Sequence, residues 1–289
     1  MHICRFMNAS QQVRIGFVDG GQLYDITARF PSISAFLRWT VGRNDVGSAL
    51  RQALQGSAPI GAASDFGMLR PTDEQEIWAA GVTYERSRVA REEESAKSGI
   101  YDRVYTAARP EIFFKATPNR AVGPHEAVAI RRDATWNVPE PELTLVINPA
   151  MEIIGYTVGN DMSSRDIEGE NPLYLPQAKM YARSCALGPM IALDEHIADA
   201  KNLDIHVQIT RNGNVMFKGV VNTGKIVRNY VDLVEYLGRD NQFPDGVLLM
   251  TGTGIVPGDD FTLEEGDSVR ISIAEIGTLE NPVVRGGVR

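Results

Sequence analysis

Glu140 and Glu142 stand two residues apart in the run Trp136-Asn137-Val138-Pro139-Glu140-Pro141-Glu142, and Asp161 follows nineteen residues after Glu142, inside Asn160-Asp161-Met162-Ser163-Ser164-Arg165-Asp166. In an extended strand, residues i and i+2 point to the same face, so the two glutamate carboxylates share one. If Asp161 joins them, three like charges meet, and each shifts toward its protonated form unless a cation enters. All three donors are oxygen and no His or Cys lies close in sequence, which favours Mg2+, Mn2+ or Ca2+ over zinc. Taken alone, Glu-x-Glu is equally the pattern of a solvated strand face. The element that carries Asp161 decides between the two.

That element is legible. Residues 143–147 are apolar and β-prone, Asn148-Pro149-Ala150-Met151 has turn chemistry, and residues 152–158 resume the apolar pattern, which predicts strand, turn, strand. With the turn centred near Pro149 and Ala150, opposed positions in an antiparallel hairpin sum to roughly 300, which brings Asp161 beside Pro139 and Glu140. The three carboxylates then converge at the open end of the hairpin.

The remainder of the chain reads as short strands with a few helices. Residues 14–18 and 22–26 flank Asp19-Gly20-Gly21 and predict a hairpin, followed by a helix after Pro31 with Ile33, Phe36 and Leu37 on one face and another over 45–55. A loop at 56–61 separates these from Met68-Leu69-Arg70-Pro71, so residues 1–72 are expected to be a small accessory α+β domain and 73–289 a larger one. In the larger part, the periodicity and charge of residues 84–98 predict a helix that Gly99 ends, with Glu92, Glu93 and Glu94 on a solvated face. A second hairpin spans 204–210 and 215–220, a short helix covers 233–237, and 246–251 and 268–273 are further strands. Strands with turns between them, and no βαβ alternation, point to an α+β, β-rich roll or barrel.

Composition narrows the function classes. A net charge of −8 argues against nucleic acid or anionic membrane as partners, so cationic groups for an acidic substrate must be local. Cys4 and Cys185 have no metal or redox spacing and read as two free thiols. No apolar run reaches transmembrane length and the N-terminus lacks a signal-peptide core, which together suggest a cytoplasmic protein. Two look-alikes fail on spacing: Asn222-Thr223-Gly224-Lys225-Ile226 lacks the glycine and hydroxyl residue of a P-loop, and the glycines from Gly252 to Gly258 miss the dinucleotide fingerprint by one residue.

The combined motifs resemble the fumarylacetoacetate hydrolase family, whose metal site is a Glu-x-Glu strand followed by an Asn-Asp-x-Ser-x-Arg-Asp segment. Within it the chain is most similar to the branch that dehydrates 2-keto-3-deoxypentonates (arabinonate or xylonate). That resemblance rests on Gly81-Val82-Thr83-Tyr84 with Ser87-Arg88, on Arg109-Pro110-Glu111-Ile112-Phe113, and on residues 136–142. It continues through residues 171–179, which end in Lys179, through Ser184-Cys185-Ala186-Leu187-Gly188-Pro189, Val221-Asn222-Thr223 and Thr251-Gly252-Thr253-Gly254, and so covers roughly residue 75 to the C-terminus. It implies a mixed β-roll with the metal at its mouth and a Mg2+-dependent hydro-lyase (Mn2+ or Ca2+ being the other candidates). The substrate would be a small 2-keto acid and the assembly a homodimer or larger homo-oligomer.

The resemblance also assigns roles. Glu140, Glu142 and Asp161 would bind the metal. Lys179 matches the family's lysine for enolate stabilisation or proton transfer; without the resemblance it could equally be a solvated lysine. Glu111, between Pro110 and apolar Ile112-Phe113-Phe114, has the surroundings of a carboxyl with a raised pKa and is the expected general acid or base, although a solvent-facing strand-edge glutamate would look the same. Ser87, Arg88 and Lys115 could meet the substrate's hydroxyls or carboxylate, and Thr253 matches the family's threonine at the acid end. None of the four histidines falls in a matching motif. Many hydrolases of this family place a His-x-x-Glu pair after Gly-x-Asn-Tyr to activate water; the stretch here, residues 81–90, holds neither partner. That departure favours dehydration of a 2-keto-3-deoxypentonate to 2,5-dioxopentanoate over the alternative, C–C hydrolysis of a 2,4-diketo-3-deoxypentonate to pyruvate and glycolate. A third class, a non-catalytic binding protein, is disfavoured because Glu140, Glu142, Asp161 and Lys179 are all retained.

Overall fold

The structure, a computed structural model, describes residues 1–85 and 104–287. The expected helix over 84–98 therefore lies almost entirely outside the described residues, as do Ser87, Arg88 and Glu92 to Glu94.

At the N-terminus β1 (His2–Met7), β2 (Val13–Asp19) and β3 (Gln22–Asp25) form an antiparallel meander. Gly20 and Gly21, with φ of 55° and 78°, make the tight turn between β2 and β3 that the Gly-Gly pair predicts. Helix α1 (Ile33–Trp39) starts where Ser32 accepts a hydrogen bond from the Ala35 N–H at 3.0 Å, and it buries Ile33, Phe36 and Leu37. Helix α2 (Val46–Ala53) follows.

The remaining long strands are β4 (Glu76–Gly81), β5 (Glu111–Ala116), β6 (Pro141–Ile147), β7 (Ile153–Asp161), β8 (Cys185–Leu193), β9 (Asp204–Arg211), β10 (Asn214–Asn222), β11 (Val247–Met250), β12 (Ser268–Ile273) and β13 (Gly277–Arg285). They build two sheets. The larger runs β3-β2-β1-β8-β7-β6-β11-β4-β5, antiparallel along this path except for the β11–β4 pair. Residues 1–72 thus join the main sheet edge to edge, His2 pairing with Ala192 and Ile3 with Ile191. The smaller sheet, β10-β9-β12-β13, is antiparallel and gains Val128–Ile130 alongside β13. Helices α3 (Arg165–Glu170), α4 (Leu175–Lys179) and α5 (Tyr230–Gly238) complete the described elements that matter here.

Strand β6 is buried at every position, because both its faces carry core. Leu143, Leu145 and Ile147 pack toward Ile205, Val207, Val269 and Ile271 of the second sheet, while Val146 belongs with Leu248, Met250, Phe36 and Leu37 on the other side. A strand buried on both faces loses simple alternation and reads as a continuous apolar run. The exception is its N-terminal end, where the charged residues sit.

The sheet is curled into a roll. Asp161 on β7 and Lys115 on β5 are four strand spacings apart, about 19 Å in a flat sheet, yet their side chains form an ion pair. A lysine side chain cannot cover that span, so the sheet must wrap and bring β5 over the end of β7. The mixed β-roll expected from the resemblance is the observed architecture.

Candidate metal centre and active site

The hairpin of β6 and β7 positions the acidic residues. Pro141 pairs with Asn160 and Leu145 with Tyr156, and beyond the strand end the ladder continues, Glu140 N–H donating to Asp161 O at 3.2 Å and Asp161 N–H to Glu140 O at 2.9 Å. Asp161 therefore lies directly opposite Glu140. Two residues along the same face comes Glu142, and oxygens of all three carboxylates lie within 4.8 Å of one another. All three residues are buried.

Burying three carboxylates together is costly unless cations compensate, and the fold supplies several. The Lys179 ammonium donates to Glu140 Oε2 at 2.7 Å, Asp161 Oδ2 at 2.9 Å and Ser163 Oγ at 2.6 Å. The Arg165 guanidinium sits 3.0 Å from Glu140 Oε1, and Lys115 pairs with Asp161 Oδ1. Glu142 accepts from the Gly252 N–H at 2.6 Å. Even so, burial pushes the Glu142 carboxyl well above its usual range, with Asp161 and Glu140 adding to the shift and Lys179 and the Gly252 N–H opposing it. Three hard oxygen donors, mutually close and with one of them driven toward protonation, fit a hard divalent cation. Glu140, Glu142 and Asp161 are the residues that would hold it.

Glu140, Glu142, Asp161, Lys179, Arg165 and Gly252 line one cavity, together with Glu111, Phe113, Glu168, Thr253 and the Ala80-Gly81-Val82 turn. Glu111 opens β5 opposite Gly81, and its carboxylate lies so close over that residue that a methyl group there would collide with it. Phe113, two residues on, places its ring 5.8 Å from the Lys179 ammonium. Thr253 lines the cavity with its hydroxyl shared between the carbonyls of Pro141 (3.0 Å) and Ile255 (3.1 Å). Of the residues singled out from sequence, Glu111, Glu140, Glu142, Asp161, Lys179 and Thr253 thus converge on one cavity.

Lys115, expected to meet the substrate, lies outside that lining: it is fully buried, and its ammonium is engaged by Asp161 and two backbone carbonyls. Two charged residues that line the cavity have no role assigned from sequence. Arg165 lies within the Asp161 motif itself, and Glu168 follows it by about one helical turn on α3. The signal that could have found them is that spacing: Arg165 and Glu168, i and i+3 at the start of a helix, share a face.

Gly252 is where a small change should reach the site. Its φ of +90° belongs to glycine, and an added methyl would meet the Thr83 hydroxyl and the Ala80 carbonyl. Thr83 in turn donates to Thr251 O at 2.6 Å. Gly252→Ala should cost on the order of 2 kcal/mol of stability and weaken Mg2+ binding by about 10-fold or more, because the N–H that orients Glu142 moves. Urea unfolding and isothermal titration calorimetry check both; an unchanged Mg2+ affinity would contradict the role given to this turn.

A family model described as fumarylacetoacetate (FAA) hydrolase C-terminal matches residues 76–284. The chain belongs to the fumarylacetoacetate hydrolase family. It is 46% identical over 259 residues to the 2-dehydro-3-deoxy-D-arabinonate dehydratase of Saccharolobus solfataricus, covering 87% of this chain and 86% of that one. With a protein named as a probable 2-keto-3-deoxyxylonate dehydratase of Haloferax volcanii it shares 52% identity over 213 residues, 74% of this chain and 73% of its relative. A solved structure of 2-keto-3-deoxy-D-arabinonate dehydratase complexed with magnesium and 2,5-dioxopentanoate aligns over 99% of both chains with a TM-score of 0.83 and 40% identity. A maleylpyruvate hydrolase from Sphingobium, at a TM-score of 0.72 and 20% identity, shares the fold of this family member.

Proposed function

We propose that this chain is a Mg2+-dependent hydro-lyase that converts a 2-keto-3-deoxypentonate to 2,5-dioxopentanoate. The observation that carries the reading is the convergence of Glu111 and Lys179 with the three-carboxylate cluster on one cavity, in a chain about half identical to dehydratases of such acids. Among the described residues the four histidines all lie elsewhere, so the cavity has no imidazole to activate water, which supports elimination over hydrolysis.

A divalent ion on Glu140, Glu142 and Asp161 would act as a Lewis acid toward the keto and carboxylate oxygens of the substrate. The protein's own groups do the rest. Glu111 takes a C3 proton, and the electron pair left behind forms the C3–C4 double bond as the C4 hydroxyl departs with a proton as water. Lys179 meets the negative charge that develops on the substrate oxygens during proton removal, from a buried position where its ammonium is already oriented. A proton shift from C5 to C3 then gives the C4–C5 enol, and transfer of its hydroxyl proton to C4 completes the aldehyde. Thr253, Ser87 and Arg88 are proposed contacts to the acid end and hydroxyls. The same reading takes residues 1–72 as an accessory unit and 73–289 as the catalytic one, in a cytoplasmic homodimer or larger homo-oligomer. Among the described residues no helix is long and apolar enough to cross a membrane.

Product analysis by NMR or mass spectrometry tests it, with Mg2+ and either 2-keto-3-deoxypentonate or its 2,4-diketo form. The expected result is 2,5-dioxopentanoate from the first. Pyruvate and glycolate from the second, with the first untouched, would replace dehydration by C–C hydrolysis.

A further inference from the structure

Lys115 is a buried ammonium that the proposed chemistry does not use. On β5, Glu111, Phe113 and Lys115 alternate along one face: Glu111 and Phe113 reach the cavity, and Lys115 continues beneath it. Phe114 pairs with Trp78 and Ala116 with Ile77, so Lys115 is an extra residue in a bulge. Such bulges re-aim side chains and are enriched beside active sites. Here the side chain is aimed between two chain segments that carry the site. Its ammonium donates to Met162 O at 3.1 Å and to Lys179 O at 2.5 Å, and it pairs with Asp161 Oδ1. Of the three donors of a lysine, two go to these backbone carbonyls, and the charge is matched by the Asp161 carboxylate.

The two segments it joins differ in how well they are otherwise held. The Asp161 backbone is fixed on both sides, by Glu140 and by its pairing with Cys185. Lys179 is the last residue of α4, a helix of only five residues, so its carbonyl is one that a helix end leaves without an intrahelical partner. Two side chains satisfy it, Lys115 and the Ser184 hydroxyl at 2.8 Å. Lys115 therefore grips, with one group, the backbone of Lys179 and the carboxylate that the Lys179 ammonium binds.

We propose that Lys115 is a positioning residue for Lys179, holding its ammonium against Asp161 and Glu140 without touching substrate. The proposal rests on the dehydratase reading for its kinetic consequence, but not for its structural one. In Lys115→Met the Lys179 carbonyl loses its shorter tie and the short helix relaxes. Asp161 stays in its ladder and, relieved of a competing cation, offers more negative charge to a divalent ion. Turnover and metal affinity should therefore part company, whereas general damage to the site would lower both.

The experiment is a crystal structure of Lys115→Met, with steady-state kinetics on 2-keto-3-deoxypentonate and Mn2+ titration followed by electron paramagnetic resonance. The expected results are a Lys179 Nζ beyond hydrogen-bond distance of Asp161 Oδ2, a kcat lowered about 30-fold or more, a substrate KM changed less than about threefold, and Mn2+ bound at least as tightly as by the parent. A Lys179 left in place with kcat within about threefold of the parent would overturn the proposal. So would a fall in Mn2+ affinity in step with kcat, which would make Lys115 a support of the metal site instead. A parent inactive on the substrate would reject the dehydratase reading, and the position of Lys179 in the variant would still decide the role of Lys115. If Lys115→Met does not fold, Ser184→Ala removes the other tie to the same carbonyl without altering charge. It should lower kcat about fivefold with Mn2+ affinity retained, and an unchanged kcat would count against the proposal.

Discussion

Glu142→Gln should abolish Mg2+-dependent turnover, by at least about 1000-fold in kcat/KM or roughly 4 kcal/mol of transition-state stabilisation, while the fold survives. Gln has nearly the same shape, and its amide oxygen can still accept the 2.6 Å hydrogen bond from the Gly252 N–H. What changes is charge. Burial, with Asp161 and Glu140 adding to it, drives the Glu142 carboxyl toward protonation, so a neutral amide costs the metal-free protein little and relieves repulsion. The metal-free variant should melt no lower than the metal-free parent. Mg2+ should raise the melting temperature of the parent, because a ligand bound only by the native state stabilises it by mass action, and should leave that of the variant unchanged. The sign of the pH dependence follows as well. A carboxyl whose pKa is raised in the folded protein must lose its proton to hold the ion, so Mg2+ affinity of the parent should increase with pH through that raised value. Thermal melts with and without Mg2+ at two pH values, alongside the kinetics, check these outcomes. A variant that keeps a Mg2+-dependent melting shift and its activity would remove Glu142 from the metal site.

The acidic cluster was legible because everything that builds it is local. A period of two put Glu140 and Glu142 on one face, and the Pro149 turn set a register that placed Asp161 beside Glu140 to within one residue. Lys179 needed the family motif, since nothing within its own short helix says that it is buried. The pairing of Lys115 with Asp161 was not legible for a physical reason: its partner lies four strands away in the sheet, and only the curl of the roll brings them together. The pairing of β1 with β8, which sets His2 beside Ala192, is a long-range contact of the same sort, invisible to periodicity. Gly252, with its φ of +90°, is the kind of glycine a turn calls for, but its N–H also orients a carboxylate. That second use depends on which side chain the roll folds against it. Composition and alternation report which face of an element is apolar. They are silent about which distant element will cover it.

Lys179→Met should separate chemistry from metal binding. The ammonium is buried and bonded to Glu140, Asp161 and Ser163, and it lines the cavity. Removing it withdraws the fixed positive charge that faces the reacting oxygens, and loss of one such preorganised donor costs about 100- to 1000-fold in kcat; with its part in proton transfer also gone, a loss of at least about 1000-fold is expected. The carboxylates are not left bare, because Glu140 keeps Arg165 at 3.0 Å and Asp161 keeps Lys115. The metal site should therefore persist, and Mg2+ should still raise the melting temperature. It should do so less well at low pH than in the parent, since Lys179 is one of the groups that hold the Glu142 carboxyl down, and without it deprotonation needs a higher pH. Lys179→Arg should not restore activity: a planar guanidinium on a longer stem cannot present one compact cation to Glu140, Asp161 and Ser163 at once. Kinetics with saturating Mg2+ and melts at pH 6 and 8 distinguish the cases. A kcat within about tenfold of the parent would show that the charge is dispensable, and Glu111 would then have to perform the proton transfers alone. A lost Mg2+ response at both pH values would instead make Lys179 part of the scaffold of the metal site, leaving the stabilisation of developing charge to Arg165, the other cationic side chain among the described residues that line the cavity.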